Sequence, residues 1–159
     1  TNAQMTAEAV KALFKDNPDG IKNIELLSTG TSTPDQLMPS HGVMVHGYLP
    51  ETKPVEVVSP SGVCCAGMHA FKYAYLATKA GDVQQSVATG SERFSLSLVS
   101  ANFEDEAKRL KELVDDPYIG FEKEFLRWML SDGAAAFQLS NKKNEQGISL
   151  KVEWMEGDT

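Results

Sequence analysis

The chain has 159 residues, of which 42% are hydrophobic and 23% are charged, so its length and composition fit one soluble domain with a sizeable core. Its net charge of −7 argues against nucleic acid as the main partner, because nucleic-acid binding normally requires a basic face. No apolar run is long enough to span a bilayer, and we expect no membrane partner.

The two cysteines of the chain, Cys64 and Cys65, are adjacent. Neighbouring cysteines can close only a strained eight-membered ring, so we do not expect a structural disulfide. The sequence contains no Cys/His set with zinc spacing. This cysteine usage predicts a reduced, cytoplasmic protein in which a thiol serves packing or reactivity.

The first part of the chain predicts a helix and then a strand. Apolar residues recur at helical spacing over residues 3–15, and an Asp/Asn/Pro/Gly turn follows. Residues 24–27 predict a short strand, and residues 29–32 predict a loop. Residues 1–3 are interpreted as the remnant of a cloning tag and are excluded from the fold.

Two helix starts are predicted next. Residues 33–36 have the form of a capping box with proline at the first helical position, and Pro39 interrupts that turn. Ser40 then caps a longer helix over residues 41–49. Its two glycines weaken that helix in isolation, so we expect close packing against a neighbour.

The remaining elements alternate between strands and helices. Strands are predicted over residues 55–59, 86–90, 134–139 and 148–155, the last with alternating apolar residues typical of an antiparallel or edge strand. Helices are predicted over residues 68–79, 104–114 and 121–130. This alternation indicates an α/β fold, a layered sheet with helices on its faces.

The joint between the second strand and the following helix has the chemistry of a nucleophile site. A thiol attacks as thiolate, and the unpaired N–H groups at a helix start favour negative charge and can hold an oxyanion. Ala66 and Gly67 are small enough to let a substrate approach the backbone. An ordinary core cysteine is the alternative. Adjacent residues at a helix start point about 100° apart, so one cysteine is expected to face the site and the other the core.

Four segments carry a resemblance to a known family. Residues 63–68 with the helix after them, and residues 87–92, resemble the nucleophile segment of the thiolase superfamily, nearest to its ketoacyl-acyl-carrier-protein synthase III branch. Residues 31–40 resemble that family's loop and Pro-Ser helix start, and residues 131–136 resemble its Gly-Asp-Gly-Ala strand entry. The order and approximate spacing agree over residues 3–155.

The resemblance implies a thiolase-like α/β/α half with a mixed, mostly parallel sheet. It implies that Cys65, directly before Ala66-Gly67, is the acyl-accepting nucleophile and that its own backbone N–H is one oxyanion donor. Cys64 falls on the preceding small-residue position and is assigned to packing. Met38 falls where the family places a residue that crosses the dimer interface toward the partner's acyl pocket.

The implied activity is that of a homodimeric condensing enzyme of fatty acid biosynthesis. Cys65 would take an acyl group from acyl-CoA or an acyl carrier protein and condense it with a malonyl thioester, with no bound cofactor or metal. A polyketide or aryl-lipid synthase, or an acyltransferase, of the same fold is one alternative. A non-catalytic partner subunit is the other.

The chain also departs from the family pattern. The family's first strand and its second half, which supplies the catalytic His and Asn, have no counterpart here, so residues 1–159 are interpreted as one incomplete domain, an excised fragment that is inactive by itself. The segment over residues 93–131 is longer than usual. His69 is placed to touch the thiolate or to serve as an ordinary packed histidine. The other polar candidates are assigned structural, capping or turn roles: His41, His46, Ser91, Glu92 and Asp132.

Overall fold

A four-stranded sheet forms the centre of the molecule, for which a computed structural model describes residues 1–121, 128–145 and 147–156. Its strands are β1 (Leu26–Gly30), β2 (Glu56–Val58), β3 (Gln85–Glu92) and β4 (Gly133–Ser140), in the order β2-β1-β3-β4. β1 runs parallel to β2 and β3, and β4 runs antiparallel to β3. The prediction of a mixed, mostly parallel sheet is confirmed.

Helices cover both faces of this sheet. The helices are α1 (Asn2–Leu13), α2 (His41–Gly47), α3 (Ala66–Ala80), α4 (Glu104–Lys108) and α5 (Leu110–Asp115). Neighbouring residues of a strand point to opposite faces, so Leu27 packs in the cluster under α1 and α2, whereas Leu26 packs in the cluster under α3. The predicted α/β/α layering is confirmed, and none of the helices in the described ranges is long and apolar enough to cross a membrane.

The start of α1 belongs to the folded core. Asn2 and Ala3 are completely buried, and their N–H groups donate to the two carboxylate oxygens of Asp35 at 2.7 and 2.8 Å. Excluding residues 1–3 from the fold is therefore wrong. The capping box predicted over residues 33–36 is also wrong, because no helix forms there and Asp35 caps α1 instead.

The cap of α2 comes from a distant residue. Ser40 makes no capping hydrogen bond with its side chain, and the Gly42 N–H donates instead to Ser59 Oγ at 2.9 Å. A Cβ on Gly42 would lie 2.5 Å from the Val57 side chain, which confirms the close packing predicted for this glycine. Gly47 has open space around it, so the same explanation does not apply there.

The last part of the chain departs most from the predictions. The helix predicted over residues 104–114 is divided into α4 and α5, and most of the helix predicted over residues 121–130 lies outside the described residues. The strand predicted over residues 148–155 is wrong. The described residues of that segment have no strand conformation, and Ile148, Leu150 and Trp154 are exposed.

Candidate active site

The two cysteines lie on a tight turn between β2 and α3. Residues Val63–Cys65 form a 3-10 turn, and α3 begins at Ala66, with Cys65 as its N-terminal flanking residue. Gly62 has a φ of 152° and Val63 has a φ of 47°. A β-branched residue in the left-handed region is strained by about 1 to 3 kcal/mol. Such strain is often stored at functional sites, which fits the predicted nucleophile turn.

Hydrogen bonds made by the Val63 carbonyl and by the Cys65 amide hold this turn. The Val63 carbonyl accepts the Ser32 hydroxyl at 2.9 Å and also the Ala66 N–H. The Cys65 N–H donates to the Gly62 carbonyl at 2.9 Å. That amide is therefore engaged inside the turn in this structure, and its role as an oxyanion donor stays a prediction.

The small residues at the start of α3 serve close packing of the helix on the sheet. A Cβ on Gly30, at the end of β1, would lie 2.1 Å from the Ala66 carbonyl oxygen. Gly67 and Gly90 also meet closely, because a Cβ on either would lie 3.3 Å from the other's Cα. The structure thus gives Gly67 and the buried Ala66 a packing role, whereas the sequence interpretation reserved that space for a substrate.

Cys64 and Cys65 are both exposed. The assignment of Cys64 to packing is therefore wrong. The 3-10 turn carries both cysteines above the end of the sheet, while Ala66 and Ala70 fill the inner face of α3. Both cysteines are therefore exposed in the part of the chain that the structure describes.

The ring of His69 lies beside the turn. A Cβ on Gly62 would come within 3.0 Å of His69 Nδ1, so the imidazole packs over the backbone at Gly62. His69 is exposed, and in the part of the chain that the structure describes no hydrogen bond joins it to Cys65. The structure therefore places the His69 ring against Gly62 at the surface, and contact with the thiolate stays a prediction.

The carboxylate of Glu92, the last residue of β3, organises the loop after β1. Its Oε1 accepts the Ser32 N–H at 2.8 Å, and its Oε2 accepts the Thr33 hydroxyl at 2.6 Å. Ser32 then donates its hydroxyl to Val63 on the cysteine turn. Glu92 is thus a strand residue rather than a turn residue, and its carboxylate has the capping role that was the other prediction for it. The sequence interpretation gave Ser32 no role, although its loop carried part of the family resemblance. In the structure Ser32 links Glu92 to the cysteine turn.

A buried polar cluster lies behind this loop. His41 Nε2 is 3.3 Å from Thr6 Oγ1 and 3.3 Å from Ser91 Oγ, and Thr6 Oγ1 donates to Ser91 Oγ at 2.8 Å. Burial lowers the pKa of His41, although the carboxylates of Asp35 and Glu92 act in the opposite direction. His41 is therefore structural, as predicted. Ser91 is a buried strand residue rather than the predicted turn residue.

The remaining residues named by the sequence analysis have roles that do not involve the cysteines. Met38 is 86% exposed on the loop between β1 and α2, where it precedes a cis proline, and its place at a partner's acyl pocket stays a prediction. Asp132 accepts the N–H and the hydroxyl of Ser95 at 2.8 and 2.6 Å, and these bonds lower the pKa of its carboxyl. Asp132 therefore has the capping role predicted for it, at the 3-10 turn over Ser95–Ser97, whereas no turn forms at Asp132 itself. His46 is half-buried on α2.

The described residues contain no group of three or more His, Cys, Asp or Glu arranged to hold a metal.

Solved structures share this arrangement of sheet and helices. β-Ketoacyl-acyl-carrier-protein synthase III from Thermus thermophilus matches 91% of this chain and 37% of its own with a TM-score of 0.64 and 19% identity. OleA from Xanthomonas campestris matches 88% and 41% with a TM-score of 0.69 and 20% identity. The chain has the ketoacyl synthase III fold. The enzyme from Xanthomonas oryzae gives the same result, with a TM-score of 0.69 and 21% identity over 88% of this chain and 40% of its own.

Sequence comparison points to the same family. β-Ketoacyl-acyl-carrier-protein synthase III of Neisseria gonorrhoeae is 29% identical over 93 residues, which are 58% of this chain and 29% of that protein. No family model matches the chain. The predicted resemblance to ketoacyl synthase III is confirmed, and the chain spans less than a third of the length of the curated relative it matches.

Proposed function

We propose that the protein is a condensing enzyme of the ketoacyl synthase III type and that Cys65 is its acyl acceptor. The observation that carries this proposal is an exposed thiol on a strained turn at the start of α3, within a ketoacyl synthase III fold. The helix start favours the negative charge that an attacking sulfur carries. Ser32 and Glu92 support the proposal because the Ser32 hydroxyl binds the Val63 carbonyl of the turn and the Glu92 carboxylate binds the Ser32 N–H.

The first step is transfer of an acyl group to Cys65. The thiolate sulfur attacks the carbonyl carbon of an acyl thioester, and the carbonyl oxygen becomes an oxyanion in the tetrahedral intermediate. Collapse of that intermediate expels the thiolate of coenzyme A or of a carrier protein and leaves an acyl-cysteine. The amide of Cys65 can assist in holding that oxyanion only after it leaves the Gly62 carbonyl.

The second step is condensation with a malonyl thioester. Loss of carbon dioxide leaves an enolate, whose carbon attacks the acyl carbonyl and forms the new C–C bond. The Cys65 thiolate then leaves, and the product is a 3-oxoacyl thioester. On this proposal the partners are acyl-CoA, an acyl carrier protein and a second copy of the protein, with Met38 directed at the second copy's acyl pocket. The setting is fatty acid biosynthesis in the cytoplasm, and no bound cofactor is needed.

Intact-mass spectrometry of the full-length protein after incubation with acyl-CoA tests the assignment of Cys65. We expect one acyl adduct, its loss in Cys65→Ala and its retention in Cys64→Ala. Ser32→Ala should slow adduct formation because the Val63 carbonyl loses its hydroxyl donor. The matched control is Ser61→Ala. Ser61 is an exposed residue of the loop between β2 and the cysteine turn, and its side chain has no partner in the described residues.

Two results would count against the proposal. An adduct that survives Cys65→Ala would place the acyl group on another residue. Absence of any adduct, together with a Cys65 thiol that alkylates no faster near neutral pH than a free cysteine, would favour the non-catalytic partner subunit.

A further inference from the structure

Acyl transfer to Cys65 leaves the thiol of Cys64 without a role. Cys64 is exposed, so it does not fill the core, and it is directly bonded through one peptide to the proposed nucleophile. In the same turn Gly62 and Val63 both have positive φ, and the hydrogen bonds of the turn involve its backbone rather than either sulfur. Two adjacent cysteines, both exposed in the described part of the chain, therefore follow a backbone with two positive φ angles.

We propose that Cys64 is a resolving thiol and that Cys64 and Cys65 form a reversible redox-modification site for peroxides. In the first step the Cys65 thiolate attacks one oxygen of hydrogen peroxide, the O–O bond breaks, and hydroxide leaves to give a sulfenic acid. In the second step the Cys64 sulfur attacks the sulfenic sulfur, the S–S bond forms, and the hydroxyl leaves as water with the thiol proton. The two sulfurs lose two electrons in total, and the peroxide is reduced to one water and one hydroxide, which takes up a proton from the solvent to become the second water.

The geometry makes this disulfide labile. Consecutive Cα atoms lie about 3.8 Å apart across a trans peptide, whereas disulfide-bonded residues usually have Cα atoms about 4.4 to 6.8 Å apart. Ring closure must therefore distort the Cys64–Cys65 peptide, whose N–H is bonded to the Gly62 carbonyl. Strained and exposed disulfides are easily reduced. A monothiol of the glutathione class, which forms a mixed disulfide and then a second disulfide with another monothiol, returns both cysteines to thiols.

The consequence is protection of the nucleophile. A sulfenic acid that finds no thiol is oxidised further to sulfinic acid, which simple thiols do not reduce. Closure of the Cys64–Cys65 ring stops that second oxidation. The ring also removes the Cys65 sulfur from acyl transfer while oxidant is present, an effect that rests on the proposed function.

The experiment exposes the reduced full-length protein to limiting hydrogen peroxide, alkylates the remaining thiols and measures intact and peptide masses. For the wild type we expect a monomer that has lost two hydrogens, takes up no alkyl group at either cysteine and regains both thiols with dithiothreitol. For Cys64→Ala we expect loss of that reversible species and accumulation of Cys65 sulfinic acid. Cys64→Ser serves as a second variant that keeps the polarity of the exposed position, and circular dichroism confirms that both variants fold.

Two results would overturn the inference. One is Cys65 sulfinic acid in the wild type at the rate found in Cys64→Ala. The other is a disulfide only between two chains, seen as a dimer on a non-reducing gel. Acyl transfer is measured separately on the fully reduced protein, so a missing acyl adduct with an intact ring-closing reaction would contradict only the proposed function.

Discussion

His41 shows how a single titratable side chain is fitted into the core. It is 3% exposed, and its Nε2 lies between the hydroxyls of Thr6 and Ser91. Its Nδ1 is buried without a partner in the described residues, so the ring has no acceptor for a second proton there. Asp35 and Glu92 favour the charged ring, but burial outweighs them and lowers the pKa of His41. The folded state therefore favours the neutral form of the His41 ring.

The free energy of unfolding should decrease as the pH falls below about 6.5, the ordinary pKa of histidine. In that range the unfolded chain binds a proton at His41 that the folded chain does not bind, so protonation favours unfolding. Asp35, whose pKa is also lowered in the folded state, contributes the same sign of slope at lower pH. Urea unfolding on both sides of about pH 6.5 measures the effect.

His41→Gln should flatten this slope, because the neutral amide has no proton to gain. His46→Gln, a change on the same helix outside the buried cluster, is the matched control and should keep the slope of the wild type. A His41→Gln protein with the wild-type pH dependence would show that another group carries it.

At the scale of elements, the position of α3 is set by contact between backbones. Gly30 at the end of β1 lies under the Ala66 carbonyl, and Gly67 lies against Gly90 of β3. The helix that begins at the cysteine turn can approach the sheet this closely only because these positions have no Cβ. The cysteine turn is thus held by the strand ends on one side and by the Ser32 hydroxyl on the other.

Gly30→Ala should lower the free energy of unfolding by about 1 to 3 kcal/mol, the usual cost of overpacking a close contact. The added methyl would lie 2.1 Å from the Ala66 carbonyl oxygen, so α3 must shift and the cysteine turn with it. Gly47→Ala is the control, because open space surrounds Gly47 and alanine in a helix gains about 0.5 to 1 kcal/mol over glycine. Denaturant unfolding of both variants checks the pair, and an equal effect would contradict the assigned contact.

At the scale of the whole molecule, the core divides into two layers on either side of the sheet. The layer under α1 and α2 includes Val10, Leu27 and Val87, and the layer under α3 includes Leu26 and Leu139. β4 completes the second layer, since Phe137 makes an edge-to-face contact with Phe71 of α3 at 5.6 Å. The described residues after β4 add no strand to this arrangement.

Leu139→Ala should lower the free energy of unfolding by about 2 to 5 kcal/mol, because it removes buried methyl groups from the layer under α3. Trp154→Ala should change it by no more than about 0.5 kcal/mol, since Trp154 is 78% exposed. Thermal and urea unfolding compare the two variants. A large decrease in the free energy of unfolding for Trp154→Ala would instead support the strand that the sequence pattern predicted over residues 148–155.

The features that the sequence alone determined are those that depend on the local pattern of residues. Apolar spacing located α1 and α3, short β-branched or small apolar runs located the sheet strands β2, β3 and β4, and the residues around Cys65 carried the resemblance to ketoacyl synthase III. These properties follow from neighbours in the chain, because helix and strand periods are written into residues a few positions apart.

Contacts between distant residues decided the rest. Asp35 caps α1 across more than thirty positions, Ser59 caps α2, and Ser32 reaches the Val63 carbonyl. The exposure of Cys64 depends on the 3-10 turn and on the alanines that fill the inner face of α3. The tertiary structure alone decided these features, because a hydrogen-bond donor or a packing surface takes whichever partner the folded chain brings close, and that partner leaves no local pattern in the sequence.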